Sequence, residues 1–143
     1  MVAHSGAVNR SSAFFHRKLA DIVIVGVHDP VRIDDFSEPQ PDLALLNPRK
    51  DFYSKSHPAP EDVLVVIEVA DTSVNYDRNV KLRLYARAVI PEAWLMVLRK
   101  DIIEVHSQPK NGKYQKVQRV KRGKTLTSPT IPDLSCRVED LLG

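Results

Sequence analysis

Glu68 stands inside the run Val63-Leu64-Val65-Val66-Ile67-Glu68-Val69. A near-continuous apolar run is the pattern of a central strand buried on both faces. An ionised carboxylate there is expensive unless it is paired or holds a metal ion. The plain alternative puts Glu68 at the strand end, facing solvent. Asp42 follows Pro41 at the mouth of a second predicted strand that runs to Leu46. Two such strands side by side bring Asp42 and Glu68 to one edge. Two carboxylates there can hold a hard divalent cation such as Mg²⁺, with water and a substrate phosphate completing the octahedron. The alternative for Asp42 is an ordinary turn residue. Asp77 and Lys81 lie four apart on a predicted helix and share a face. They form either a simple ion pair or a device in which Lys81 leans toward the carboxylates, positions an attacking water and offsets developing charge.

Those residues need elements to carry them. Val8 to Ala20 predicts a helix, and Ile22 to Val27 a β-branched strand ended by Gly26 and the His28-Asp29-Pro30 turn. Val31 to Ile33 is expected to resume as a strand. Ser37 to Pro41 is a rigid extended segment, because a residue before proline avoids the helical region. Arg49 to Asp62 reads as a polar loop. Thr72 or Ser73 can cap a helix running to about Ala88, with Val80, Leu84 and Ala88 on its apolar stripe. Trp94 to Leu98 and Ile102 to Val105 are predicted strands joined at Arg99-Lys100-Asp101. Asn111-Gly112 then supplies a hairpin turn into Tyr114 to Val120. Val138 to Leu142 predicts a short terminal helix. The sum is an α+β or mixed α/β fold.

The chain has 143 residues, a length that fits one domain over 1–143. No apolar run approaches the roughly 18 residues of a membrane span, and no secretory signal opens the sequence. Cys136 is the lone cysteine, so an internal disulfide and a multi-cysteine zinc site are excluded, and a reducing, cytoplasmic setting is expected. The five histidines show no metal-ligand spacing and receive no role; His4 and His16 are read as surface residues. Trp94 reads as core. The net charge of +3 conceals a division. The stretch Val27 to Ala70 is acidic, whereas nine basic residues between Arg99 and Lys124 meet two acids. The late segment, Lys113 to Lys124 above all, is either a phosphate-contacting surface or the solvated face of a hairpin. The helix over Ser73 to Ala88 is also a candidate homodimer face.

Four blocks in order carry a resemblance: Gln40-Pro41-Asp42-Leu43-Ala44-Leu45-Leu46, Val66-Ile67-Glu68-Val69-Ala70-Asp71-Thr72-Ser73, Tyr76 to Arg87, and Ile90-Pro91-Glu92-Ala93-Trp94-Leu95. Together they resemble the Uma-two (Uma2) family of restriction-endonuclease-like proteins, within the PD-(D/E)xK nuclease superfamily, over about His4 to Leu142. The resemblance implies a mixed β-sheet flanked by helices and a divalent-metal phosphodiesterase site acting on nucleic acid, in the first place DNA. By it, Asp42 is the aspartate of the first half-motif and Glu68 the acid of the second. The lysine usual two residues later is replaced by Ala70, and its role passes to Lys81, with Asp77 holding it. Mg²⁺ or Mn²⁺ would sit on Asp42, Glu68 and the Val69 carbonyl. Family members usually carry a further N-terminal segment, so an early element is expected to be lacking here. Val89 and Val97 replace a glycine and an aspartate of the family pattern. Two functions follow as expectations: a metal-dependent endonuclease, or a catalytically inactive nucleic-acid-binding or protein-interaction module on the same fold.

Overall fold

The apolar run around Glu68 becomes the strand on which the fold is arranged. The computed structural model describes residues 2–143. Val63–Ala70 form β3, inside a six-stranded sheet of order β1-β2-β3-β4-β5-β6. The other strands are β1 (Ile24–Val27), β2 (Leu43–Leu46), β4 (Glu92–Val97), β5 (Ile102–Lys110) and β6 (Lys113–Lys121). All neighbours pair antiparallel except β3 and β4, which run parallel. A parallel pair needs a crossover connection, here a helical one. This is the mixed sheet with flanking helices that the family resemblance implies.

Strand alternation divides the apolar residues between two cores. Val65, Ile67 and Val69 of β3 join Trp94 and Met96 of β4 under helix α1 (Val2–Lys18), where Phe15 packs edge-on against Trp94. Val66 and Ala70 join Leu95 and Val97 under the crossover, which contributes Leu82 and Tyr85. Glu68 lies between Val66 and Ala70 and therefore faces the crossover. The terminal helix α4 (Val138–Leu142) adds Val138 and Leu141 to the first core.

The crossover helix departs from expectation. It opens as α2 (Val74–Tyr76), widens into a π-helical turn at Asp77–Lys81, and closes as α3 (Leu82–Arg87). Leu82 N–H reaches back five residues to the Asp77 carbonyl. The extra residue shifts the helical phase, so the expected stripe is not the buried one. Val80 is about half exposed, whereas Asp77, Leu82, Tyr85 and Ala86 are buried. Such π turns are rare and recur at functional sites. Ser73 occupies the N-cap position, but its hydroxyl donates to Asp77 Oδ2 at 2.8 Å instead of accepting from the helix backbone.

Other differences are local. Helix α1 starts earlier than its apolar spacing indicates, and Val31 to Ile33 form no strand; an isolated bridge joins Asp34 and Ser37 instead. A two-stranded ribbon, β7 (Thr125–Thr127) and β8 (Ser135–Arg137), escaped the sequence reading and tucks Leu126 and Cys136 into the α1-side core. Burial pushes the Cys136 thiol up to about 12, leaving it protonated at neutral pH. Asn111 and Gly112 both take positive φ, 54° and 76°, as a two-residue hairpin of the primed type requires. Among the described residues, no helix is long and apolar enough to cross a membrane.

Glu92 ties the sheet to the C-terminal segment. Fully buried at the head of β4, it accepts from Trp94 Nε1 at 2.5 Å, Ser128 Oγ at 2.8 Å and Thr130 N at 3.0 Å. Glu92→Ala strands three donors in a site closed to water, and the expected loss is roughly 2–5 kcal/mol in urea unfolding. A loss below about 1 kcal/mol would show that these donors find other acceptors.

Candidate active site

The site begins on the β2 side of β3, where the two strands pair antiparallel. The β2–β3 register ends at Leu43 opposite Ile67, so Asp42, one residue earlier, continues the pairing opposite Glu68. The ladder has stopped there, and the Asp42 carboxylate takes over its role: Oδ2 accepts from Val69 N at 2.8 Å. An extended residue presents its N–H and C=O to the same side. The Val69 carbonyl therefore faces the Asp42 side too.

Glu68 is 1% exposed, and its two oxygens have different surroundings. Oε2 accepts from the Tyr85 hydroxyl at 2.5 Å. Oε1 has Lys81 Nζ at 3.6 Å, beyond hydrogen-bond reach. Among the described residues, Oε1 is the one buried side-chain nitrogen or oxygen without a hydrogen-bond partner. Burial raises the Glu68 carboxyl to about 7, against the Tyr85 hydrogen bond and the Lys81 charge, which both pull it down. Burial likewise holds the Tyr85 hydroxyl far above its ordinary value, so it remains a donor.

Lys81 is held from two sides. Its Nζ lies 3.5 Å from Asp77 Oδ1 and 3.6 Å from Glu68 Oε1. Burial lowers the affinity of the amine for its proton, but Glu68, Asp77 and Asp42 outweigh that and raise it. Lys81 is therefore an ammonium at neutral pH, a hydrogen-bond donor and not a base. Asp77 is itself buried and fixed by Ser73, so the π turn delivers both a cation and its anchor to the sheet.

Two histidines to which the sequence assigned no role also belong here. His4 Nε2 approaches Asp42 Oδ2 at 3.2 Å, and His28 Nε2 approaches Asp42 Oδ1 at 3.2 Å. His4, read as a surface residue, is thus half-buried against the carboxylate. His28 follows β1 directly, and its backbone N–H donates to the Asp42 carbonyl. The signal for His28 is the antiparallel pairing of β1 with β2, which places it opposite Asp42. No local signal exists for His4, which comes from the first turn of α1.

Among the described residues, no three His, Cys, Asp or Glu side chains are placed to hold a metal ion. A hard cation does not need three. Mg²⁺ is commonly held by one or two carboxylates, with waters and substrate phosphate supplying the rest. An orphaned Glu68 oxygen, the adjacent Asp42 and the Val69 carbonyl fit that ion by chemistry: all are oxygen donors, and Oε1 accepts no hydrogen bond.

The Uma2 family, described as "Putative restriction endonuclease", matches residues 3–139. The chain belongs to that family. It is similar to a solved structure from Anabaena variabilis described as a putative nuclease belonging to DUF820. The two share 14% identity at a TM-score of 0.68, covering 98% of this chain and 80% of that one. The type IIG restriction endonuclease BpuSI matches at 16% identity and a TM-score of 0.43, over 79% of this chain and 12% of its own. No curated protein matches. The Anabaena structure supports the fold; the family supports a restriction-endonuclease-like reading.

A buried acid that titrates near 7 leaves a signature in stability. Its folded value lies above the ordinary 4.5, so the folded state holds the proton more tightly than the unfolded chain. The stabilisation is complete below about pH 4.5 and is lost as pH rises through about 7, on the order of 3 kcal/mol in all. Glu68→Gln should flatten the fall in melting temperature between pH 5 and 8. An unchanged slope in that variant would assign the titration to another group.

Proposed function

We propose that the protein hydrolyses phosphodiester bonds in DNA as a divalent-metal-dependent endonuclease. The observation that carries the reading is Glu68 Oε1: a buried carboxylate oxygen on a central strand, without a hydrogen-bond partner, 3.6 Å from a lysine ammonium and adjacent to a second carboxylate. Structural ion pairs rarely leave such an oxygen open.

Asp42, Glu68 and the Val69 carbonyl would hold Mg²⁺ or Mn²⁺. The cation, when bound, polarises the scissile phosphate and lowers the pKa of the attacking water. The chain's own groups do the rest. Val69 N–H fixes one Asp42 oxygen, and Tyr85 fixes one Glu68 oxygen, so the remaining lone pairs have a set direction. Lys81 carries its proton and donates hydrogen bonds to the attacking water or to phosphoryl oxygens, where negative charge grows as the nucleophile adds. Asp77 keeps the ammonium over Glu68. An endonuclease of this kind needs no further cofactor.

One observation favours the second reading, an inactive nucleic-acid-binding module. Both Asp42 oxygens already accept from the protein, one from Val69 N and His4 and the other from His28. Three of its roughly four lone pairs are thereby taken, and a cation would have to use the one left on Oδ1 beside His28.

Supercoiled plasmid with Mg²⁺ or Mn²⁺ separates the readings. The expected result is nicking and linearisation, abolished by EDTA and reduced to the buffer blank by Asp42→Ala and by Glu68→Ala. Lys81→Ala should cost about 10²- to 10³-fold, as loss of a charge-stabilising donor does elsewhere. Each variant is first checked for a cooperative melt. Cleavage unchanged by both carboxylate substitutions overturns the proposal. Salt-dependent binding with no turnover and no Mg²⁺ or Mn²⁺ binding heat supports the second reading.

A further inference from the structure

The polar row at the site continues across the sheet. Glu68 pairs with Leu95, Leu95 with Glu104, and Glu104 with Arg119. Directly paired residues share a face, so Glu104 and Arg119 lie on the same side as Glu68. At about 4.8 Å per strand, Glu104 stands roughly 10 Å from Glu68 along the row. The π turn spans that gap. Asp77 reaches Lys81, and the next residue, Arg78, reaches Glu104 with a bidentate pair, Nε to Oε1 at 3.2 Å and Nη2 to Oε2 at 2.6 Å.

Glu104 is fully buried and accepts a further bond from His106 Nε2 at 2.9 Å. Burial would raise its carboxyl, but the bonds from His106 and Arg78 prevail and bring it down to about 2. Its charge is therefore met before any other cation arrives. Yet Arg119 Nε stands 3.4 Å from Oε2, and two more cations gather close by. An open cavity of about 540 Å³ is lined by Arg78, Arg99, Lys100 and Arg119 against Asp71 and Glu104. Four cations face two carboxylates. The Arg99 and Arg119 side chains are 67% and 59% exposed, with Arg99 Nε donating to Asp71 at 3.0 Å. Each guanidinium has five donors. The carboxylates take two from Arg78 and one each from Arg99 and Arg119. Forks steadied by a carboxylate on one side, with donors remaining, are suited to the planar oxygens of phosphate.

We propose that this cavity anchors a backbone phosphate of the nucleic-acid strand, adjacent to the phosphate held at Asp42 and Glu68. The inference rests on the nuclease reading for which phosphate is cleaved, but not for the anchoring itself. It also corrects the expected binding surface. The basic late segment is not one face: Arg119 lies on the crossover side, whereas Lys116, paired with Ser107, projects on the α1 side. Arg99 and Lys100 come from the β4–β5 turn, before the Lys113 to Lys124 stretch. Contacts of this kind carry no base readout.

The test is binding of a labelled DNA duplex in EDTA, followed by anisotropy between 50 and 200 mM salt. Arg99→Ala and Arg119→Ala should each weaken binding about 3- to 10-fold. The double variant should lower the slope of log affinity against log salt by about 0.9, the loss of one phosphate contact. Lys116→Ala should match wild type. Inorganic phosphate at constant ionic strength should not displace the duplex. Wild-type protein that does not bind, arginine variants with unchanged affinity and slope, or equal weakening by Lys116→Ala each overturn the inference. Displacement by inorganic phosphate overturns the backbone assignment in favour of a free anion. Weakened binding by the arginine variants in a protein that never cleaves would sink the nuclease reading and leave the anchor standing. Cleavage with unaltered binding does the reverse.

Discussion

A carboxylate on a central strand, sealed from water, is the constraint that orders this molecule. Ionised, it demands compensation that an apolar core cannot provide. Neutral, it surrenders its chemistry. The fold meets the demand halfway. Tyr85 serves one oxygen, Lys81 approaches the other without bonding it, and the acid is left balanced near neutrality. The π turn, the buried Asp77 and the ammonium it steadies are all explicable as support for that one oxygen pair. Glu104, two strands away on the same face, shows the opposite solution: three basic partners and a carboxyl that stays ionised into strong acid. One surface thus carries one acid with its valence open and one with it closed.

Much of this was legible in the residues. The Val63 to Val69 run betrayed its strand as a near-continuous apolar stretch rich in β-branched residues, and Glu68 stood out because a charge does not belong in such a run. Asn111-Gly112 announced its turn, and the terminal helix at Val138–Leu142 matched its prediction residue for residue. These signals are local, and local chemistry is what a sequence displays. The four motif blocks carried the rest of the family assignment, which the match over residues 3–139 bears out.

The unread parts are those that depend on distant contacts or on a change of helical period. A helix template of 3.6 residues put Val80 on the buried stripe, because no propensity marks a π turn; the turn sets Lys81 against Glu68 and Arg78 against Glu104 on the sheet. His4 meets Asp42 across 38 residues, and only the packing of α1 brings them together. The strands β7 and β8 are three residues each, too short for alternation to register. The basic segment misled for a simple reason: charges adjacent in sequence alternate between faces of a strand.

The row from Asp42 through Glu68, Leu95 and Glu104 to Arg119 has one more effect, on which sheet can form at all. A slip of β5 by one residue against β4 would carry Glu104 to the face occupied by Trp94 and Met96, among α1 side chains, with Arg78 out of reach. A slip of β3 would do the same to Glu68. Each error buries an unpaired charge and is costly by several kcal/mol. An apolar sheet tolerates many alignments that differ little in energy. Here the acids make all but one of them expensive, so the residues proposed to work on a phosphate also proofread the pairing of the strands.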